Sequence, residues 1–454
     1  MSNTNYSLKK ISFGGSLYSR DIETLLKAKK IGIGDRIKIQ KGSVDYSGIL
    51  MPRIESGDAS TLVIKLDNGY NIGIKFEKGM VLQKVGSGRK LGKFPTRKIK
   101  LNPQLPKISI LSTGGTIASR VDYVTGAVSW LLSPEEIFFT APELENIVNI
   151  KKAERVFSVA SENMTPKYWI KMAEQVAKEL NSDVNGVVIM HGTDTMHFSS
   201  AALSFMLKNL NKPIVFTGAQ RSTDRGSSDN VFNLICSSHI AGHSDIAEVG
   251  ICMHGESSDT FCNFTRGTKV RKMHTSSRNT FKAINDLPLA KVWPNGKIEI
   301  VNQNYRKRTD GKVKVDTNFE EKIALIKAYP GANTDVLNHL VDKGYKGVVI
   351  EATGLGHVPT GDINWLPDVK RAIEKGITIV LAPQTLYGRL NPFVYEPARK
   401  LLQTGAIFAE DMLPEVAYVK LGFVLGHVKN LAEVRKMMLT NYAGEISERR
   451  EVIA

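Results

Sequence analysis

The chain has 454 residues, with 61 Lys/Arg against 45 Asp/Glu, a formal charge of +16, and 42% apolar residues. That length predicts two to four domains with room for real cores, and the composition is that of a globular chain. No apolar run approaches the roughly 20 residues that a membrane span requires, and MSNTNYSLKK carries no apolar signal region, so a cytoplasmic location without membrane contact is expected. Cys236, Cys252 and Cys262 are odd in number and lack CxxC spacing, which argues against a disulfide framework or a thiolate metal site.

The charge is unevenly spread. Residues 1–100 carry 20 Lys/Arg against 8 Asp/Glu, a net +12, whereas the remaining 354 carry 41 against 37, a net +4. A basic front beside a nearly neutral remainder predicts an acidic partner for the front: nucleic acid, an acidic protein surface, or simply solvent facing a lysine-rich surface. Charge does not separate these.

Residues 31–82 read as β structure. Ile33–Ile39 alternates, and Leu62–Ile74 runs LVIKLDNGYNIGI around an Asp67-Asn68-Gly69 hairpin turn, which suggests a small barrel. From Gly86 to Pro106 the composition shifts to Gly, Pro, Lys and Arg, as in a linker. Lys107–Ser112 is then an apolar run of the kind buried on both faces of a parallel sheet. It leads into Gly114-Gly115, which permit a sharp turn at the strand's carboxyl end and would place the Thr116 hydroxyl where open α/β sheets bind ligands. An ordinary glycine turn with a threonine cap is the alternative. A phosphate-binding P-loop is excluded by spacing and by the missing lysine.

Ser133-Pro134-Glu135-Glu136 has the pattern of a helix start. Val156–Val159 predicts a short strand ending in Ser161-Glu162-Asn163, and Thr165-Pro166 opens a helix of about 15 residues by the spacing of its apolar positions. Gly186–Met190 is another buried strand, ending in His191-Gly192-Thr193-Asp194-Thr195 and followed by a helix through Leu207. Pro213–Phe216 is a further strand. A second unit begins near Lys322, with strands at Ile323–Ile326, Gly347–Ile350 and Ile377–Leu381; the second ends in Thr353-Gly354-Leu355-Gly356-His357. The stretch from Leu421 is helical in pattern. This alternation predicts parallel α/β sheets.

Several polar clusters at predicted strand ends are able to converge: Thr116, Ser161-Glu162, Thr193-Asp194 and the basic run Lys269–Lys272. A threonine hydroxyl is a poor nucleophile until a base takes its proton, a lysine serves as that base, and an aspartate orients it. Thr193-Asp194 also fits a plain helix cap with a carboxylate in the first turn, and Lys272 on its own reads as a solvated lysine. His191, His254 and His357 lack metal-ligand spacing, so no metal is expected.

Thr113-Gly114-Gly115-Thr116-Ile117-Ala118 and His191-Gly192-Thr193-Asp194-Thr195-Met196 together resemble the two signatures of bacterial-type L-asparaginases, in order and spacing. The resemblance covers about residues 107–450. It implies a two-domain α/β core with the site at strand ends of the larger domain. It further implies Thr116 as the group that attacks the side-chain amide, and Thr193 with Asp194 in a set completed by a lysine. Matching Thr280-Phe281 places that lysine at Lys272. Ser161 and Glu162 match positions that hold the amino-acid head group. Thr125, Gly115, Gly192 and His357 complete the candidate substrate-binding set, Gly115 and Gly192 as backbone donors to an oxyanion.

The basic β domain in front, with YSGILMPR (46–53), KLDNGYNIGI (65–74), Asp122-Tyr123, Thr125–Val128 and Gly405–Leu421, is similar to the D subunit family of the archaeal glutamyl-tRNA(Gln) amidotransferase. That resemblance implies a glutaminase passing ammonia to an E subunit, which amidates Glu-tRNA(Gln) using ATP and Mg. No cofactor is implied for this chain itself. Its implied assembly is a homodimer within a heterotetramer. The expected organisation is thus a basic β domain over 1–85, a linker over 86–106, α/β domains over 107–300 and 321–454, and a linker over 301–320. A free-standing cytosolic asparaginase explains the same catalytic motifs but leaves the basic front without a task. A non-catalytic scaffold fits poorly with the intact Thr116, Thr193, Asp194 and Lys272.

Overall fold

The computed structural model describes residues 18–52, 58–68, 70–87, 101–114, 119–121, 128–130, 134–221 and 227–448. Gly69, Gly115, Thr116, Thr125 and Ser133 lie outside the described residues, as does most of the expected 86–106 linker. The chain divides into two compact units, with the front of the chain in the first and most of residues 96–454 in the second.

In the first unit, α1 (Arg20–Ala28) starts at Ser19, whose hydroxyl accepts the N–H of Ile22. Five antiparallel strands follow: β1 (Arg36–Lys41), β2 (Val44–Leu50), β3 (Thr61–Lys65), β4 (Asn71–Lys75) and β5 (Val81–Gly86), in the order β4-β3-β2-β1-β5. Inward Ile37, Ile39, Leu62, Ile64 and Leu82 pack with Ile22 and Leu26 of α1. Among the described residues β4 and β5 are the edges of this sheet and α1 packs against it, so the unit is the expected small β-rich, barrel-like domain with one helix added.

The second unit begins with β6 (Lys107–Ser112). The hairpin β7 (Ser119–Val121) with β8 (Val128–Trp130) belongs to the first unit. The chain continues through α2 (Pro134–Thr140), β9 (Asn149–Arg155), α3 (Pro166–Leu180), β10 (Gly186–Met190), α4 (Met196–Met206), β11 (Leu207–Lys208), β12 (Ile214–Thr217) and α5 (Asn230–His243). Then come β13 (Val249–His254), β14 (Cys262–Arg266), β15 (Val270–Lys272), β16 (Phe281–Ala283), β17 (Ala290–Val292) and β18 (Ile298–Ile300). The main sheet runs β18-β17-β14-β13-β12-β10-β6-β9. From β9 to β13 it is parallel, and β14, β17 and β18 extend it antiparallel. The sheet is therefore mixed rather than purely parallel.

Two strand boundaries differ from the sequence reading. The strand expected at Val156–Val159 lies earlier, at Asn149–Arg155, and 156–159 is irregular chain. NIKKAER sits on the sheet edge, where most of its side chains past Ile150 are half-buried or exposed, so it lacks the apolar run that marks a central strand. The stretch 301–320, expected as a linker, contains β19 (Lys314–Val315), paired with β11.

A second, four-stranded parallel sheet follows, in the order β20 (Ile323–Lys327), β21 (Gly347–Ala352), β22 (Thr378–Pro383) and β23 (Ile407–Phe408). Its helices are α6 (Asp335–Asp342), α7 (Leu366–Glu374), α8 (Glu396–Gln403), α9 (Pro414–His427) and α10 (Leu431–Leu439). The helical stretch expected from Leu421 thus starts at Pro414, a residue suited to the first helical turn. One apolar cluster joins α3, α4 and the main sheet to α9 and one face of the second sheet, with Phe205 stacked on Phe423. Two buried ion pairs lock this region, Lys269–Asp411 at 2.6 Å and Lys420–Glu445 at 2.6 Å. Deep pairs of this kind fix geometry more than they stabilise.

Candidate active site

β6 and β10 are adjacent and parallel, so their carboxyl ends lie side by side. Thr113, one residue past β6, is fully buried, and its N–H donates to the Met190 carbonyl at the end of β10 at 3.0 Å. Gly114 follows with φ +115°, and a Cβ there would stand 2.5 Å from the Val159 carbonyl oxygen. Only glycine fits this turn. Thr116 is two residues further on, outside the described residues together with Gly115.

At the end of β10 the chain passes through His191 to Gly192, where a Cβ would lie 2.8 Å from both Cβ and Oγ of Ser161. The missing side chain lets the turn Ser161–Asn163 close against the His191–Thr195 segment, and Thr195 Oγ1 locks it by donating to the Ser161 carbonyl at 2.6 Å. Ser161 is buried and Glu162 exposed. Ser161, one of the predicted head-group pair, therefore sits directly against the segment that carries Thr193 and Asp194. His191 is fully buried; its Nδ1 donates to the Gly192 carbonyl at 2.6 Å, and burial pulls its pKa down to about 4. The ring is neutral at physiological pH, a packing group rather than an acid.

The lysine arrives from the hairpin β15–β16. Lys272 pairs directly across from Phe281, while Val270 and Phe281 are buried in the main core. The two-residue alternation along β15 then turns Lys272 to the same side as Val270. Lys272 Nζ donates to Thr193 Oγ1 at 2.9 Å and to Asp194 Oδ1 at 2.6 Å. Its side chain is only 10% exposed, whereas that of Asp194 is 63% exposed. One ammonium thus bridges a hydroxyl and a carboxylate at the end of a central strand. Such a set can hold and move a proton between a threonine oxygen and a neighbouring reacting group.

A cavity of about 330 Å³ opens on this set, and Asp194, His197, Arg271, Lys272, His274 and Glu415 help to line it. Arg271 lies within the basic run Lys269–Lys272 noted in the sequence, whereas nothing in the sequence marks His197 or Glu415 as site residues. His357 is placed elsewhere: its backbone bonds to Thr353 and its ring meets Tyr395 edge-on, both within the C-terminal α/β domain. The structure gathers Ser161, Gly192, Thr193, Asp194 and Lys272, and leaves His357 outside that group. Among the described residues no cluster of three or more His, Cys, Asp or Glu is placed to hold a metal.

Fold and site define an asparaginase-type α/β enzyme. The family model described as asparaginase, N-terminal, matches residues 107–306, and that of the glutaminase/asparaginase C-terminal domain matches 322–438. Among solved structures, the thermostable L-asparaginase from Thermococcus kodakarensis superposes with TM-score 0.68 at 29% identity, covering 76% of this chain and 100% of that one. L-asparaginase I from Vibrio cholerae gives TM-score 0.66 at 29% identity, covering 76% and 99%. The front of the chain, residues 31–84, matches the GatD N-terminal domain. The D subunit of the Pyrococcus furiosus glutamyl-tRNA(Gln) amidotransferase is 54% identical over 434 residues, covering 94% of this chain and 97% of that protein. The D subunit from Methanopyrus kandleri is 47% identical over 438 residues, covering 95% of each. The chain belongs to the D subunit family of the glutamyl-tRNA(Gln) amidotransferases.

Proposed function

We propose that the chain is the glutaminase subunit of a glutamyl-tRNA(Gln) amidotransferase, and that it releases ammonia from glutamine for amidation of Glu-tRNA(Gln). The observation that carries the chemistry is Lys272 Nζ held between Thr193 Oγ1 and Asp194 Oδ1. Near-full-length similarity to D subunit proteins supports the wider assignment over a free-standing asparaginase.

In this reading the glutamine head group is held at Ser161 and Glu162. Thr116 Oγ attacks the side-chain carbonyl carbon, and its proton passes to the Lys272-centred set. The resulting oxyanion takes backbone N–H donors near Gly115 or Gly192; one such donor is worth about 3 kcal/mol. The C–N bond then breaks, the departing nitrogen receives the proton, and ammonia leaves. Water cleaves the Thr116 ester, giving glutamate and free enzyme. ATP and Mg act on the partner E subunit, where the tRNA-bound glutamate is activated. The chain works in the cytoplasm as a homodimer within a heterotetramer.

The test is ammonia release from glutamine and from asparagine, with and without the E subunit and charged tRNA. Glutamine hydrolysis stimulated by partner and tRNA is expected. Efficient asparagine hydrolysis, indifferent to both, would favour the free-standing asparaginase.

A further inference from the structure

Glu415 enters the site from the opposite domain. It stands in the first turn of α9, one residue after Pro414, and is only 5% exposed. The two elements that carry the triad converge on its Oε1. Arg271, the residue before Lys272 on β15, brings Nη2 to 3.1 Å. His197, three residues after Asp194 in the first turn of α4, brings Nε2 to 3.8 Å.

The two contacts differ in kind. Burial and the neighbouring cations Arg271 and Lys272 push the His197 pKa down to about 3, so its ring is neutral and packs against Glu415 without a charge. Among the described residues Arg271 supplies the counter-charge. The other buried carboxylates of this region, Asp411 and Glu445, use both oxygens in hydrogen bonds. Glu415 does not: among the described residues its Oε2 is buried without a partner, as is His197 Nδ1. A half-satisfied buried carboxylate is a poor way to stabilise a fold. It lies on the wall of the same cavity that reaches Asp194 and Lys272.

We propose that Glu415 is a positioning residue for the Thr193–Lys272–Asp194 set, tying β15 and the start of α4 together so that Lys272 Nζ stays between its two partners. This rests on reading Lys272 as the proton-handling group. Without the carboxylate, Arg271 loses its one charged anchor among the described residues and turns toward solvent, and the short hairpin carrying Lys272 is freed to shift. Displacing a reacting group by about 1 Å costs on the order of a hundredfold in rate. Among the described residues, the charged and titratable groups around Glu415 are Arg271 on β15, His197 on α4 and Glu351 on β21, with Asp194, Lys272 and His274 lining the same cavity. Burial, aided by Glu351, raises the Glu415 carboxyl above the ordinary range, and Arg271 opposes it. Acid therefore removes the anchor before ordinary carboxylates protonate.

The experiment uses the full chain with its partner subunit, measuring kcat and KM for glutamine across pH, with folding checked by circular dichroism. For Glu415→Gln, kcat should fall about 10- to 100-fold with KM within about threefold. The acid limb of the wild-type kcat profile should be absent in this variant. Glu415→Asp should restore part of kcat together with an acid limb, and Arg271→Gln with Glu415→Gln should be no slower than Glu415→Gln alone. A variant with wild-type kcat and an unchanged acid limb would overturn the proposal. If Glu415→Gln does not fold, Arg271→Gln decides: a fall in kcat at constant KM supports the proposal, and wild-type kcat overturns it. Lys272→Met is the separate control, since retained activity there refutes the triad reading itself, and the positioning role with it.

Discussion

Gly192→Ala tests the packing that brings the Ser161–Asn163 turn to the Thr193-Asp194 segment. The new Cβ would sit 2.8 Å from Ser161 Cβ and Oγ, against an ordinary carbon–carbon contact of about 3.5–4.0 Å. One side must retreat by about 0.7–1.2 Å, the difference between those separations. Thr195 Oγ1 holds the Ser161 carbonyl, so the turn and the Thr193-Asp194 segment must separate together or strain that bond. Overpacking of this size costs about 1–3 kcal/mol of stability, which a multi-domain chain should survive. The same displacement at a substrate-holding group should lower kcat/KM about 10- to 100-fold. The assay is glutamine-dependent ammonia release over a range of glutamine concentrations, paired with a thermal melt. Ser161→Gly removes both clashing atoms, so the double variant should be no worse than Ser161→Gly alone. A Gly192→Ala protein with wild-type kcat/KM would refute the placement of Ser161 in the site.

Lys269→Met should leave Asp411 as an uncompensated buried charge and destabilise the chain by about 3–5 kcal/mol, more than Lys269→Met with Asp411→Leu; denaturant titration checks this, and equal losses would contradict it. His191, with its folded pKa near 4 against 6.5 when unfolded, contributes nothing above pH 6.5. As pH falls from 6.5 to 4 the unfolded chain takes up a proton that the fold refuses, so stability declines by about 3 kcal/mol in total. His191→Gln should show a shallower acid decline in denaturation midpoints, and an identical decline would remove His191 as its source. Neutralising several lysines within residues 1–100 should flatten the salt dependence of tRNA binding if those lysines meet phosphates; an unchanged slope moves the contact to the protein partner.

The parts of the site legible in sequence are those fixed by local chemistry. Gly114 and the 191–195 segment sit at ends of apolar strands, and their glycines have visible steric reasons in the structure. Lys272 is reached only through family resemblance, because nothing near it in sequence distinguishes it from other lysines. Its role comes from pairing across from Phe281, a register set by burial of Val270 and Phe281. Glu415 is invisible in sequence as a site residue because its meaning lies in a contact across 144 positions, to Arg271. The edge strand β9 escapes a pattern reading because its side chains do not alternate cleanly. The start of α9 reads too late because that helix is apolar on all sides and gives no one-sided period. His357 follows β21, a strand of the second sheet, with its ring against Tyr395.

The most direct measurement is amidation of Glu-tRNA(Gln) by the complex carrying Thr116→Val, with either glutamine or free ammonium as nitrogen donor. The substitution removes the hydroxyl at nearly constant volume. Glutamine-dependent amidation and ammonia release should both vanish, with ammonium-dependent amidation retained at the wild-type level. Glutamine hydrolysis that persists in Thr116→Val would contradict the account.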